Sequence, residues 1–392
     1  KLGTIEIQSS TNPHIISFTH HAIDPQLEIL EDAKDIGFSK RTFGDLHIIT
    51  ENTEFPICVY PSKKFLEKNR DISEYGYAKY KIALALGEPQ LSFRFFETDV
   101  LERYSNDPRF NFEFHDFSGN ISCKYDDAGN PILREEDQIF LKSFGLGLDS
   151  SSNRKIAVLL RYLGGLTSEH QIFWSSKEIP ASDCKVLSDY YDNVIRGDWI
   201  TSRSVFHALI DEINAAHKLT LSIFGTPLFR RELEDDNRPK NFTFFFAPTS
   251  KNYYEFINLL DKYLSENINK EFFRGKIELE ERKRIDENTF ERAQKGTLRL
   301  LEEWITQSFR YANESIPKEI IKPLKTVRKE RQNPAHKVID NIYDPSLVER
   351  QREIMEACYR SIGSIRRILQ THPGAKHVTL DSGLDKDNIK YF

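Results

Sequence analysis

The period of the hydrophobic pattern changes along the chain, and this change limits the possible folds more than any other feature. Up to about residue 145, apolar residues mostly alternate with other residues, as in Lys81–Gly87 (KIALALG) and in Phe110, Phe112 and Phe114. Such alternation predicts half-buried strands. After Ser250 the apolar residues recur every three or four positions, which predicts amphipathic helices.

The predicted fold class is therefore α+β, with three successive regions. Residues 1–150 are predicted to form a β-rich domain, residues 151–250 a mixed α/β region, and residues 251–392 an α-helical bundle. The length of 392 residues exceeds that of one typical domain, so more than one domain is expected.

The N-terminal strands are separated by residues that favour turns. A further strand is predicted at Ile121, Cys123 and Tyr125, with a turn before it at 118–120 and another after it at 126–131. The economical interpretation of this region is a meander or a small β-sandwich.

The middle region mixes the two periods. Ser202 is a candidate N-cap for a helix that runs through Val205 to about Lys218. The phenylalanine-rich stretch 241–247 predicts a strand that is covered on both faces, because it is too apolar for a half-exposed strand. A polar loop is predicted at 232–239.

The C-terminal region contains several helical stripes. These begin with Tyr253, Phe256, Ile257, Leu260 and Leu264, continue with Leu298, Leu301, Trp304 and Ile305 and then Ile316, Ile320, Leu324 and Val327, and end with a helix from about Ser346 to Thr371. The charged stretch 276–291 is compatible with a hairpin, a helix or a long loop. Pro323 must occupy a first helical turn or kink its helix.

Composition excludes several classes of protein. No window approaches the roughly 18 consecutive apolar residues that cross a bilayer, and no basic stretch followed by an apolar run marks an exported chain. The four cysteines are far apart without a CxxC pair, which argues against a zinc site or a disulfide framework. We therefore expect a cytoplasmic protein without a membrane partner.

The charge is distributed unevenly along the chain. The formal net charge is -5, yet residues 315–372 carry twelve Lys and Arg against seven Asp and Glu. A basic segment in an otherwise acidic chain is the electrostatic pattern of a nucleic-acid interface, because phosphate contacts require cations.

The basic segment contains one concentrated group of chemically capable residues at 327–337 (VRKERQNPAHK). Pro334 disfavours helical geometry at Asn333 and suits the first position of a new helix. The pattern predicts that Arg331 ends one helix and that His336 lies in the first turn of the next. Unpaired N–H groups and the helix dipole at that turn favour an anion.

Arginine and histidine together at a phosphate have a specific chemical use. Arg331 is a candidate to hold two phosphoryl oxygens and to stabilise charge in the transition state. His336 is a candidate to move a proton near neutral pH. On RNA the 2'-hydroxyl is an internal nucleophile, so these two groups suffice for transesterification without a metal or other cofactor.

Arg331 and His336, spaced R-x4-H between two helices of a C-terminal helical module, resemble the R-x4-6-H signature of the HEPN superfamily of ribonucleases. The resemblance covers about residues 290–372, and the first 250 residues resemble no family that we can name. It implies that Arg331 and His336 are the catalytic pair. It also implies a composite cleft between two protomers, and therefore a homodimer formed through the bundle.

The resemblance further implies a role in phage defence, in abortive infection or as a toxin, with an RNA substrate and a regulatory protein or antitoxin as a possible partner. Candidate RNA-binding residues surround the pair: Lys325, Arg328, Lys329, Asn333 and Lys337. Together with Lys318 and Lys322, two of these lysines form a stripe at helical spacing that is either a solvated face or a track for the RNA backbone.

The alternative function is a non-catalytic interaction protein. In that interpretation the bundle dimerises and binds nucleic acid or a protein partner, Arg331 complements a helix dipole, and His336 bonds to a neighbouring loop. A third class, a metal-dependent nuclease using His20 or His21 with Asp24, is weaker because adjacent strand residues point to opposite faces.

Two other patterns have ordinary structural explanations. His207 and Asp211 are four residues apart and share a helix face, which a hydrogen bond explains. The stretch 145–147 (GLG) lacks the third glycine and the following helix of a dinucleotide site. The sequence therefore predicts neither a metal nor a bound cofactor.

Overall fold

The structure is a computed structural model that describes residues 3–9, 22–32, 39–43, 46–50, 57–198, 203–233, 238–284, 290–332, 340–381, 383–384 and 389–390. It divides into two compact units, Lys1–Trp199 and Ile200–Phe392. Both helices and strands are well represented, so the fold class is α+β.

The first unit carries most of the strands. Its elements are β1 (Ile5–Ser9), α1 (Ile23–Asp32), β2 (Ser39–Phe43), β3 (Leu46–Thr50), β4 (Ile57–Pro61), α2 (Lys63–Asn69), α3 (Lys79–Ala85), β5 (Phe93–Phe96), α4 (Glu102–Ser105), β6 (Phe110–His115), β7 (Ser118–Cys123), β8 (Phe140–Asp149), β9 (Arg154–Leu159), α5 (Leu160–Gly164), α6 (Ser168–Ser175), β10 (Glu178–Ile179), β11 (Cys184–Val186) and α7 (Ser188–Tyr191).

The second unit is mainly helical. Its elements are β12 (Arg203–Ser204), α8 (Val205–Phe224), α9 (Ser250–Tyr263), β13 (Glu280–Arg284), β14 (Phe290–Gln294), α10 (Thr297–Ser308), α11 (Ile316–Gln332), α12 (Ser346–Gln370) and β15 (Ile389–Lys390). Short 3-10 turns lie at Ser73–Tyr75, Thr98–Leu101, Glu135–Asp137, Ala181–Asp183, Lys270–Phe273 and Pro373–Ala375, and a π-helical turn at Asp192–Arg196.

An antiparallel seven-stranded sheet forms the centre of the first unit. Its strand order is β10-β5-β9-β8-β7-β6, and β11 also pairs with β8. The predicted strand at Phe110 is confirmed, because the residues of β6 alternate between buried and exposed. Smaller two-stranded sheets pair β1 with β4 and β2 with β3.

The predicted strand at KIALALG is wrong, because these residues lie in and just after helix α3. The side-chain oxygen of Gln171 accepts hydrogen bonds from the backbone N–H groups of Tyr80 and Lys81, at 2.9 and 3.1 Å. A residue about 90 positions away thus accepts the hydrogen bonds of two free N–H groups in the first turn of this helix. The hydrophobic pattern of the stretch itself does not indicate this partner.

Two predicted turns have different outcomes. Residues 118–120 lie in β7 rather than in a turn, because the chain reverses one step earlier at Asp116, whose φ is 64°. The turn at 126–131 is confirmed, with the N–H of Asp126 donating to the carbonyl of Asn130 and Gly129 at a φ of 83°.

A neutral hydrogen-bond chain crosses the core of the first unit. Trp174 Nε1 donates to the hydroxyl of Tyr104 at 3.0 Å, and that hydroxyl lies 2.7 Å from His170 Nδ1. His170 Nε2 lies 3.0 Å from the carbonyl of Asp137, which can only accept. Nε2 therefore carries a proton, and burial lowers the pKa of the imidazole, which favours its neutral form.

The second unit is built on the packing of α8 against α12, with α9, α10 and α11 completing the bundle. A buried ion pair joins α8 to α12: Arg366 Nε lies 2.6 Å from Glu212 Oε2, and Nη2 lies 3.1 Å from Oε1. Gly363 makes room for this pair, because a Cβ there would lie 3.2 Å from Glu212 Oε1.

The boundaries of the compact units differ from the three predicted regions. Strand β9, beyond residue 150, completes the sheet of the first unit, and helix α8, before residue 250, packs into the bundle of the second. The mixed period of 151–250 arises because that stretch crosses from one unit to the next.

Helices of the second unit follow the predicted stripes closely. The final helix ends at Gln370, and the charged stretch after residue 276 is a hairpin of β13 and β14. The helix predicted from Val205 extends to Phe224, and its N-cap is Ser204, whose hydroxyl accepts from the N–H of His207 at 3.2 Å. The proposed N-cap Ser202 lies outside the described residues.

The four phenylalanines of the stretch 241–247 are buried as predicted, but the stretch is not a strand. The side chain of Gln351 takes the place of a neighbouring strand: it donates to the carbonyl of Thr243 at 2.9 Å and accepts from the N–H of Phe245 at 3.3 Å. Phe244 packs against Phe246, whereas Phe242 and Phe245 pack against rings of helices α8 and α9, namely Phe206, Tyr253, Phe256 and Tyr263.

Candidate functional site

Arg331 lies in the last turn of α11. The helix is positioned by an apolar stripe, in which Ile321, Leu324 and Val327 are fully buried. Pro323 lies inside this helix rather than in its first turn. The side chain of Arg331 remains 30% exposed to solvent.

Two carboxylates bind Arg331, one in α9 and one just beyond the end of α9. Its Nη1 atom donates to Asp261 Oδ2 at 2.6 Å and to Glu266 Oε1. Because Nη1 carries two hydrogens, these two bonds saturate it. Among the described residues, no hydrogen-bond partner lies on Nε or Nη2, so three N–H donors stay without a partner there, two of them along the Nε–Nη2 edge.

Arg328 belongs to the same cluster. Its Nη1 donates to Asp261 Oδ2 at 2.7 Å and lies 3.8 Å from Glu266 Oε1. The hydroxyl of Ser265 donates to the other oxygen of Asp261. We call Asp261, Glu266, Arg328 and Arg331 the carboxylate–arginine cluster, and its formal charge is zero.

The two carboxylates of this cluster differ in burial. The side chain of Asp261 is 1% exposed and that of Glu266 is 40% exposed. A buried carboxylate with three hydrogen bonds is held firmly, whereas an exposed one is free to exchange its partner with water or an anion. The hydrogen bonds from Arg331 to Asp261 and Glu266 raise the pKa of its guanidinium, so the charge is permanent.

A second ionic group holds Glu330, the residue before Arg331 in the same helical turn. Glu330 accepts from the hydroxyl of Tyr253 and from Arg350 Nη2, the latter at 2.5 Å. The guanidinium of Arg350 also lies 5.2 Å from the ring centroid of Tyr253. The contacts of Glu330 with α9 and α12 therefore fix the orientation of the helical turn that carries Arg331.

The lysines predicted to bind RNA have different environments. Lys325 Nζ lies 2.6 Å from Glu302 Oε2 of α10, so its charge is compensated. Lys318, Lys322 and Lys329 are exposed and form no ion pair with any residue that the structure describes. The free part of the predicted stripe thus consists of these three residues.

The remaining predicted site residues are His336, Asn333 and Lys337. All three lie in residues 333–339, outside the described part of the chain. The pairing of His336 with Arg331 therefore stays a prediction, as do the roles of Asn333 and Lys337.

The roles of Asp261 and Glu266 were not predicted from the sequence. One signal was available for Asp261: it follows Leu260 in the apolar stripe of α9, where a charged residue requires a partner. The partner is 70 residues away, and no local pattern identifies it.

The other chemical patterns are structural. His207 Nε2 lies 3.3 Å from Asp211 Oδ2, as the spacing predicts, and Arg203 Nη1 lies 3.0 Å from the same oxygen. Gly145 and Gly147 lie within β8, where the rings of Tyr190 and Phe95 cover them so closely that a Cβ would clash.

For the metal-binding alternative, Asp24 is the only one of the three candidate ligands that the structure describes. Asp24 lies at the start of α1 rather than on a strand, and His20 and His21 are outside the described residues. In the part of the chain that the structure describes, no group of three or more His, Cys, Asp or Glu could hold a metal ion. Nor does any helix there combine the length and apolarity that spanning a membrane requires.

A groove of about 330 Å³ lies between α11 and α12. Its lining combines the apolar residues Pro323, Ile354 and Ala357 with the charged residues Lys322 and Glu353. It is formed by the same helix that carries Arg331.

Comparison of the chain with protein-family models, with curated proteins and with solved structures finds no match. The function is therefore inferred from the residues of the site.

Proposed function

We propose that the protein is a metal-independent endoribonuclease of a defence or toxin-like system, with Arg331 and His336 as its catalytic pair. One observation supports this proposal above others: Nη1 of Arg331 is fixed by two carboxylates, while Nε and Nη2 have no partner among the described residues. A guanidinium held by one atom and open along one edge suits bidentate binding of a phosphate.

The proposed reaction is transesterification within RNA. The 2'-oxygen attacks the adjacent phosphorus, the bond from phosphorus to the 5'-oxygen breaks, and a 2',3'-cyclic phosphate and a 5'-hydroxyl result. The 2'-hydroxyl loses one proton and the leaving oxygen gains one. His336 moves a proton at one of these oxygens, and Arg331 stabilises the charge on the phosphoryl oxygens.

Exposed cations extend the proposed RNA contact along α11. Lys329 is one helical turn from Lys325 and two residues from Arg331, and Lys318 and Lys322 continue the row. Such contacts do not distinguish sequences, so they raise affinity for RNA in general. A homodimer formed through the bundle, a regulatory partner and a cytoplasmic location belong to the same proposal.

The test is cleavage of single-stranded RNA by the full chain in the presence of EDTA. We expect Arg331→Ala and His336→Ala each to lower the rate by about 100-fold or more. Lys376→Ala removes an exposed cation of the same unit outside α11, so it serves as the matched control and should retain most of the rate. Equal cleavage by wild type and both variants would overturn the proposal.

A second candidate function has its own observation. Because the carboxylates cancel the charges of Arg328 and Arg331, the cluster equally suits a purely structural role within a bundle that binds a partner through another surface. This candidate predicts no RNA cleavage by any variant and lower thermal stability of Arg331→Ala. Loss of cleavage with an unchanged melting temperature excludes it.

A further inference from the structure

The carboxylate–arginine cluster contains two carboxylates that the proposed ribonuclease reaction does not require. Phosphate binding needs the guanidinium of Arg331, but a carboxylate in contact with it repels the phosphate that it should bind. Of the two carboxylates, one is buried and bound by three donors, and the other is exposed. This difference points to two separate tasks.

We propose that Asp261 is a positioning residue for Arg331 and that Glu266 occupies the guanidinium in competition with the substrate phosphate. This inference deepens the proposed function, because it concerns the regulation of the same site. It assigns to Glu266 the part of an internal competitor that lowers affinity for RNA until a phosphate displaces it.

The geometry supports the role of Asp261. Its Oδ2 receives Nη1 of both Arg328 and Arg331, at 2.7 and 2.6 Å, and its Oδ1 receives the hydroxyl of Ser265. A fully buried carboxylate with this set of donors cannot leave without exposing unpaired charges in the bundle. Asp261 therefore fixes the direction of Arg331 whether or not a phosphate is bound.

The geometry supports the role of Glu266 in a different way. It lies just beyond the end of α9, it is 40% exposed, and its described ionic partners are the two arginines of the cluster. Its carboxylate is planar and anionic, as is the pair of oxygens that a phosphate presents to a guanidinium. When Glu266 moves away, two arginines face a single carboxylate and the site gains a net charge of about +1.

The experiment measures binding of a mixed-sequence, single-stranded 2'-O-methyl oligoribonucleotide, which has no free 2'-hydroxyl and is not cleaved. The variants are Glu266→Gln, Asp261→Asn and, as matched control, Glu271→Gln. Glu271 is an exposed glutamate that also pairs with an arginine, Arg274, at 2.9 Å. The control therefore removes the same charge from the same unit without touching the cluster.

We expect Glu266→Gln to bind the oligonucleotide about fivefold more tightly at low salt. Its affinity should fall more steeply with salt, with the logarithmic slope larger by about 0.7, because one more phosphate is neutralised. Glu271→Gln should change the affinity less than twofold. A variant that merely loosened the bundle would bind more weakly and with a shallower slope.

Asp261→Asn should instead weaken binding, because Arg331 loses its fixed direction while Glu266 stays. Equal affinities and slopes for Glu266→Gln and Glu271→Gln would overturn the inference, even if Asp261→Asn fails to fold. The proposed function is tested separately, by RNA cleavage in EDTA. Tighter and steeper binding by Glu266→Gln without any cleavage by wild type would keep the internal competitor and reject the catalytic role.

Discussion

The polar network at the centre of the first unit is neutral, whereas the networks that join the helices of the second unit are charged. In the first unit, a chain of hydrogen bonds runs from Trp174 through Tyr104 and His170 to a backbone carbonyl. In the second, Glu212 with Arg366 and the carboxylate–arginine cluster join neighbouring helices. The two units should therefore respond differently to loss of a partner.

The physical difference lies in what remains after one group is removed. A neutral group without its partner costs about 1–3 kcal/mol when buried. A buried charge without its partner costs about 3–5 kcal/mol. A charged network thus specifies its helix contacts more strictly, and it also provides ionised groups near the surface that a phosphate can use.

The largest expected effect is in the second unit. Arg366→Met should lower the free energy of unfolding by about 3–5 kcal/mol, because Glu212 is left charged and buried. Urea denaturation followed by circular dichroism measures the change. Arg367→Met, at the exposed neighbouring position, is the control and should shift stability by about 0.5 kcal/mol or less.

The double variant Glu212→Leu with Arg366→Met sharpens the same prediction. Replacing both charges with apolar groups should recover most of the loss, because no unpaired charge remains. If the double variant is as unstable as Arg366→Met alone, the loss of stability comes from altered packing and not from an unpaired charge. The contrast between the neutral and the charged network would then not hold.

The next effect concerns His170 in the first unit. His170→Gln should destabilise that unit by about 1–3 kcal/mol at pH 8, since its two buried hydrogen bonds are disturbed. Hydrogen-exchange mass spectrometry at the two units measures it. His115→Gln, at an exposed position of β6, should leave the exchange unchanged.

His170 also predicts a direction of pH dependence. Burial lowers its pKa in the folded state below the ordinary value of 6.5, so the unfolded chain takes up the proton first on acidification. Its contribution to stability is complete above pH 6.5 and is lost as the pH falls below that value. Wild type should lose stability in the first unit between pH 7 and 5, and His170→Gln should lose less. A steeper loss in the variant would contradict the neutral network.

A smaller effect is expected at Gln171. Gln171→Leu should cost about 1–2 kcal/mol, because two backbone N–H groups of α3 lose their acceptor. Exchange of the amides of Tyr80 and Lys81 should accelerate most. Ile172→Ala, at the exposed next position, provides the baseline, and equal exchange in both variants would exclude the capping role.

The smallest effect is expected at Gly363. Glycine to alanine within a helix normally stabilises by about 1 kcal/mol. At Gly363 the new Cβ would press on Glu212, which Arg366 holds in place, so we expect no net gain or a slight loss. If the free energy of unfolding, measured by thermal unfolding, rises by the full 1 kcal/mol, the ion pair of Glu212 and Arg366 can shift at little cost.

The difference between the units also explains what could be predicted from the sequence. Amphipathic helices such as α9 and α12 were predicted closely, because their apolar stripes are long and their partners are other stripes. The strand β6 was predicted equally well from its alternation. In these elements the local pattern and the packing agree.

The failures occur where a distant polar side chain decides the local structure. Gln171 caps α3 and Gln351 binds the backbone of the stretch 241–247, and both stretches were predicted as strands. Asp261 was missed for the same reason, since its arginine partners lie in another helix. Apolar periodicity identifies faces, but it carries no information on which polar group will reach a given backbone atom.

The most direct test of the account is end-group analysis of RNA incubated with the full chain in EDTA. We predict fragments with 2',3'-cyclic phosphate and 5'-hydroxyl ends from wild type, and none from His336→Ala, Arg331→Ala or a fully 2'-O-methylated substrate. Fragments with 5'-phosphate ends, or cleavage of the methylated substrate, would contradict attack by the 2'-oxygen and the catalytic pair with it.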